Sequence, residues 1–469
     1  MHPIHPTHPS APPADPRLRA DPLADDIVHR ILCGPDTGTP SLSRWDAIAV
    51  VERALAAWDS NGALDGWRAD AGTPAPIAAA LEDYIKQARR LPAWLDAGKV
   101  ARAEAVFACL GTVSFTLLAC AAVPEADMAA GAVEPHPDDR VRAAAALMLA
   151  AMLPGGLLDP AGSGVAQVLA LRLRNALVRH LVVRGHPGEA LTYGAAIPAL
   201  LPEGADPHRT LFARGWDVRV DGLPRNQEAL AYTLLGFHYV MLRSLRRLGL
   251  GLRRQDEDAW LHAWNVAGHL LGIEEDLLAP RMREAATLFE RLQRHARAVA
   301  DARYAVPGRK GGAPAWGKAP DPRPALAAGL VRALREGIRR RALQALPLLL
   351  ARRLCARATA RALGLDAQAP LLARALFSLG LGAARAADSA TGLFDPGVSI
   401  LRLAARILGY RIALRFLTDP ALPESLLRQV DAALGAWETN PAAPGWVNAI
   451  EARLRPRRPR IGPGQAAAC

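Results

Sequence analysis

Residues Gly164–Val183 read GVAQVLALRLRNALVRHLVV, and the reading of this stretch decides the fold. It is long enough for more than five helical turns, and a helix apolar on nearly every side is a buried one. Its polar groups are concentrated at Arg172, Arg174, Asn175, Arg179 and His180. Residues three and four apart are neighbours on a helix, so Arg172, Asn175 and Arg179 share one face. Arginine and amide groups on an otherwise apolar helix point to a pocket inside a helical bundle.

The flanking sequence repeats the helical pattern. Arg44–Asp59, Pro76–Leu91, Lys99–Val123, Asp138–Leu153, Asn226–Leu248, Asp256–Leu271 and Glu274–Ala300 carry apolar residues at helical spacing. Pro76 suits a first turn, Asn226 a side-chain cap, and Gly249 and Gly272 C-terminal stops. The only strand-like piece is Trp216–Val220. The expected class is all-α: one large helical domain over 25–454, with a Gly/Pro loop at 304–324 between two helical blocks. The expectation adds a disordered Pro/His-rich tail over 1–24 and a disordered basic tail over 455–469. The apolar run Val106–Val123 is at the lower edge of membrane-spanning length and reads as a buried core helix.

Composition narrows the function. Apolar residues make up 51% of the 469 and charged residues 22%, so the chain can bury a sizeable core. The net charge is +12, but only four of the 57 basic residues are lysines. Such an arginine bias with abundant alanine follows from coding composition, and no specific nucleic-acid partner is expected. The segment 331–361 carries nine arginines against Glu336. It reads as a solvated face, with an anionic membrane surface as the functional alternative. Five cysteines without a CxxC pair exclude a disulfide framework and a cysteine-based zinc finger. The N-terminal Met1–Pro16 has no basic stretch followed by an apolar one, and a cytoplasmic location is expected. Gly312–Ala319 imitates a phosphate-binding loop, but Ala319 stands where that motif needs a hydroxyl.

Three further segments accompany the Arg/Asn helix. They are a helix ending in Pro154-Gly-Gly, the run Leu223-Pro-Arg-Asn-Gln-Glu228, and Trp264-Asn-Val-Ala-Gly268-His269-Leu-Leu-Gly272. In this order they resemble the latex-clearing proteins (rubber oxygenases) and the wider MpaB-like oxygenases, most strongly over Arg142–Leu292. The resemblance implies a globin-related helical core, b-type haem, and dioxygen-dependent cleavage of double bonds in prenyl chains. It matches Arg179 and His180 to the family's Arg-His pair near the haem, His238 to a histidine in a Phe-His context, and Arg142 to a distal-side arginine.

Two positions depart from the family. Asn175 stands where the proximal haem histidine is expected, and Ala143–Ala146 replaces the distal Lys-Thr. A carboxamide is not a haem ligand. Any iron ligand would then be His180, His238 or His269, with Arg172, Asn175 and His269 lining the cofactor and Arg142, Arg179, His180 and His238 carrying the chemistry. The expected function is a haem-dependent oxygenase acting with dioxygen on a small apolar, prenyl- or lipid-like substrate. The alternative is a family member without haem that binds an apolar ligand or a partner.

Overall fold

The computed structural model describes residues 15–33, 42–125, 137–193, 196–197, 216–305, 319–321, 323–336, 344–392, 399–417, 424–440 and 443–455. The described residues are all-α, apart from two two-residue strand pairs, Ala196–Ile197 with Trp216–Asp217 and Tyr304–Ala305 with Ala319–Pro320.

The central helix is Gly164–Val183. Arg184, in the left-handed region at φ 57°, ends it, and the Gly185 N–H donates to the His180 carbonyl at 3.0 Å. An N-terminal helix, Pro22–Leu32, lies against the central helix and against Ala75–Ala88. The tryptophan helix Arg254–Leu270 packs on Ala97–Leu110, and Val113–Glu125 packs on Ile400–Leu417. One continuous apolar core runs from Ala24 to Trp437 through these helices. Trp58, Trp260 and Trp264 are wholly inside it. The Phe237 and Trp264 rings stack with centroids 4.5 Å apart. The Trp260 indole N–H donates to the Phe237 carbonyl at 3.1 Å.

Several sequence expectations are met in detail. Pro76 lies in the first turn of Ala75–Ala88, the Asn226 side chain accepts from the Ala229 N–H, and Gly249 and Gly272 have positive φ. Pro347 lies in the first turn of Leu346–Leu354, and the described arginines of the basic segment lie on Arg323–Glu336, Leu346–Leu354 and Arg357–Ala362.

Others need correction. The run 106–123 is two helices, not one. They bend by 93° at Gly111, whose φ of 52° and ψ of −130° suit glycine alone. No single helix among the described residues is long and apolar enough to cross a membrane. Trp216–Val220 contributes only two strand residues before turning helical at Val218. Glu274–Ala300 begins with a short turn, and its helix proper is Met282–Arg303, after Pro280. The 227–248 stretch is helical but contains a π turn at Gly236–Val240. Residues 15–24, expected within a disordered tail, are ordered: Arg19 and Asp21 are buried in ion pairs. Residues 1–14, 306–318 and 456–469 lie outside the described residues, and with them most of the two tails and of the loop.

Candidate functional site

Three of the four resembling segments meet against the N-terminal segment, while the Pro154-Gly-Gly turn lies at the other end of the central helix, where Asn61 Nδ2 donates to the Gly156 carbonyl at 2.9 Å. Asp21 and Asp25 are one helical turn apart, and Arg172 and Arg179 two turns apart, so the two helices face each other through two ion pairs. The Arg172 guanidinium forks onto Asp21, Nε to Oδ2 at 2.5 Å and Nη2 to Oδ1 at 2.7 Å. Arg179 Nε donates to Asp25 Oδ1 at 2.8 Å, and both side chains are 1% exposed. Burial pushes the Asp25 carboxyl up, and the Arg179 charge only partly opposes that. Burial pulls the Arg172 guanidinium down, but the Asp21 hydrogen bond and charge carry it above its usual value.

Each guanidinium also donates from Nη1, while Arg179 Nη2 lies 2.8 Å from Asp25 Oδ1 without hydrogen-bond geometry. Arg172 Nη1 donates to the Leu270 carbonyl at 3.2 Å, and Arg179 Nη1 to the Arg225 carbonyl at 2.7 Å. Arg225 presents that carbonyl from the left-handed region, φ 50°. Next to it, the Gln227 amide donates to the carbonyls of Ala20 (2.9 Å) and Gly272 (2.8 Å) and accepts from the Glu274 N–H (3.0 Å). Glu228 is buried 2.7 Å from His295 Nδ1, and burial pushes its carboxyl up. The Pro-x-Asn-Gln-Glu run thus works as a clasp between the N-terminal segment and the helices.

The glycines of the tryptophan helix are explained by close approach. A Cβ on Gly268 would meet Leu234 Cδ2 at 2.6 Å, and one on Gly272 would meet Asp21 Oδ2 at 2.4 Å. At the Pro154-Gly-Gly turn, a Cβ on Gly156 would meet the Ala150 carbonyl at 2.4 Å.

The expected site residues do not form one cluster. Arg172, Asn175 and Arg179 share the predicted face, and all three are buried. Asn175 sits on that face between the two paired arginines. His180 is 0% exposed, but its Nε2 lies 3.8 Å from Cys33 Sγ and its ring 5.9 Å from that of His29, at the C-terminal end of the N-terminal helix. Burial, then the nearby His29, Arg44 and His186, hold it down at about 4. His269 is half-buried, edge-on to Trp94, and lowered chiefly by burial. Arg142 lies on the Pro137–Met152 helix, with its side chain outside the described residues. In the basic segment, Arg352 pairs with Asp366 at 2.5 Å, while Arg353, Arg357 and Arg361 are exposed.

His238 stands apart. It is 1% exposed on the π turn, and burial holds it at about 3, so its imidazole is neutral at pH 7. Its Nδ1 has no hydrogen-bond partner among the described residues. The same holds for Ser114 Oγ, Ser244 Oγ and Trp264 Nε1, on the helices that pack on this turn or continue from it. Each such group costs about 1–3 kcal/mol unless water or a ligand meets it. π turns are common at functional sites.

Tested against haem, the central-helix face does not fit. Its two arginines are used within the protein, and Asn175 is a carboxamide. His238 does fit, as a buried neutral imidazole of the kind that ligates haem iron. Sequence reasoning missed Asp21, Asp25, His29 and Cys33. The signals were present as an Asp pair and a His-x-x-x-Cys pair, each at i, i+4.

Comparison with known proteins gives two likenesses. A rubber oxygenase of Streptomyces sp. (strain K30) is 23% identical over 228 residues, covering 46% of this chain and 49% of that protein. The match therefore spans about half of the relative's length. The solved structure of latex clearing protein LCP in its closed state superposes with a TM-score of 0.52 at 18% identity, covering 91% of this chain and 92% of that one. No family model matches. This chain has the all-helical fold of latex clearing protein and resembles the rubber oxygenases in sequence.

Proposed function

We propose that this chain is an oxygenase-like protein that acts with dioxygen on a small apolar, prenyl- or lipid-like substrate, and that any b-type haem is held by His238 rather than from the central helix. The observation that carries this reading is the buried, neutral His238 with an unpartnered Nδ1 on a π turn. Haem, when bound, would supply the activation of dioxygen. The protein's own contribution is to keep the imidazole deprotonated by burial and to fix it between packed helices. The stacked Phe237 and Trp264 and the buried Trp260 surround this region with buried apolar surface. An apolar substrate gains about 0.8 kcal/mol per methylene taken out of water into such surroundings.

The engaged Arg172 and Arg179 and the carboxamide of Asn175 favour a second reading, a relative that binds an apolar ligand without haem. An absorption spectrum of purified protein, oxidised and then dithionite-reduced, separates the two. The first reading expects a Soret band with one haem per chain, lost in His238→Ala and kept in His269→Ala and Asn175→Ala. A Soret band that survives His238→Ala overturns the ligand assignment. No band after haem reconstitution overturns the haem reading and leaves the second. Oxygen uptake with short prenyl alcohols then tests the substrate class.

A further inference from the structure

We propose that His29, Cys33 and His180 form a binding site for a zinc-class divalent cation, with three protein ligands and a fourth position open. One ligand atom from each residue lies within 4.8 Å of the other two. His29 and Cys33 are one turn apart at the end of the N-terminal helix, where the Cys33 N–H caps the His29 carbonyl at 2.8 Å. His180 reaches them from the last turn of the central helix.

The chemistry of the donor set is specific. Thiolate plus imidazole is the combination zinc selects among biological ligands. With Zn–S near 2.3 Å and Zn–N near 2.0–2.1 Å, a tetrahedral ion holds its S and N ligands about 3.6 Å apart. Cys33 Sγ and His180 Nε2 are 3.8 Å apart, close to that spacing before any ion draws them in. The rest of the closure falls to the half-buried His29 ring, whose Nδ1 has no hydrogen-bond partner among the described residues. Metal ligation is one way to engage that nitrogen, since a buried unpaired nitrogen is costly.

The neighbouring His186 is a wall and not a fourth ligand. Its ring stands edge-on to His29 at 5.4 Å. Its Nδ1 accepts from the Gly188 N–H at 3.1 Å, and its Nε2 lies 2.9 Å from Asp26 Oδ1, so both nitrogens are engaged. Three ligands with an open position are the arrangement of an ion that carries an exchangeable water. Cys33 is exposed, so the site has access to solvent. The charges near it are the Asp26 carboxylate and the Arg44 guanidinium, and a thiolate offsets half of the ion's charge. A cation here would tie the end of the N-terminal helix to the central helix, beyond the Asp25–Arg179 pair.

The test is titration of the full chain with Co²⁺, read as a difference spectrum, followed by displacement with Zn²⁺. The expected result is one ion per chain with a thiolate-to-cobalt charge-transfer band, abolished in Cys33→Ser and unchanged in Cys109→Ser. His29→Asn is expected to weaken binding by more than about tenfold. Zinc is also expected to protect Cys33, mapped by mass spectrometry, from alkylation. Because His180 is wholly buried, the exposed Cys33 variant decides the outcome if His180→Asn fails to fold. Cobalt binding without a sulfur band, as His2, His5 and His8 alone would give, overturns the proposal. So does a band that persists in Cys33→Ser, or no binding at all. None of these outcomes depends on whether His238 holds haem.

Discussion

Replacing Asp25 by leucine should cost more than replacing its partner Arg179 by methionine. The pair is 1% exposed on both sides, so removing one partner leaves the other in the core. An arginine left there cannot shed its charge, because its guanidinium stays protonated at any working pH. A carboxyl left there can take up a proton, and burial already pushes the Asp25 group upward. Breaking a buried pair costs about 3–5 kcal/mol, and Asp25→Leu should lie in that range. Arg179→Met should cost less near neutrality, and less again as pH falls and Asp25 protonates. The double variant should recover much of the loss, since well-packed apolar replacements of buried pairs are often neutral. The assay is urea unfolding followed by the fluorescence of the buried tryptophans, at two pH values, assembled into a double-mutant cycle. A cost below about 1 kcal/mol for Asp25→Leu, or a larger cost for Arg179→Met at pH 7, would refute the reasoning.

Gly272→Ala should destabilise by more than the ~1–2 kcal/mol of a left-handed alanine, because its Cβ would stand 2.4 Å from Asp21 Oδ2 and 2.7 Å from Arg172 Nε; thermal melts of the two Gly→Ala variants Gly272 and the open Gly364 give the comparison. Gly409→Ala places a Cβ 1.7 Å from the Thr112 carbonyl oxygen, so it should reach the upper end of the ~1–3 kcal/mol overpacking range and push the Val113–Glu125 and Ile400–Leu417 helices away from each other, read by unfolding midpoint. Haem-free protein should lose stability as pH falls from about 6.5, because unfolding lets His238 bind a proton that the fold refuses until about 3. The His238 contribution lost between pH 7 and pH 4 is about 3 kcal/mol, and His238→Gln should flatten the slope in that window. An unchanged slope in the variant would show that other groups govern the acid limb.

The all-α class was legible because its signals are local. Apolar spacing marks the central helix, Asn226 caps its helix, and Gly249 and Gly272 stop theirs. The shared face of Arg172, Asn175 and Arg179 was legible for the same reason. What those arginines do was not, since their partners lie about 150 residues earlier, Asp21 inside the stretch that reads as tail and Asp25 at its edge. Composition reports what a segment does alone, and Asp21 and Asp25 are ordered by what they meet. The bend at Gly111 was hidden inside an uncharged run, because an isolated glycine within a helical pattern is tolerated and does not by itself mark a break. The π turn at His238 changes the helical phase without changing residue types, so no pattern marks it. His180 was singled out as one of an Arg-His pair, yet its nearest reactive neighbour, Cys33, is distant in sequence.

The ion pairs of residues 19–25 also set an order of events during synthesis. This segment leaves the ribosome ahead of its partners, and Arg172, Arg179 and Asp276 follow only after some 150 to 250 further residues. Chains emerge at roughly 5–20 residues per second, so Asp21 and Asp25 wait many seconds for their partners. The segment 19–25 is therefore among the last regions to lock. A translation product lacking residues 1–25 should assemble most of its apolar core and still fail at the end, with two buried cations that nothing neutralises.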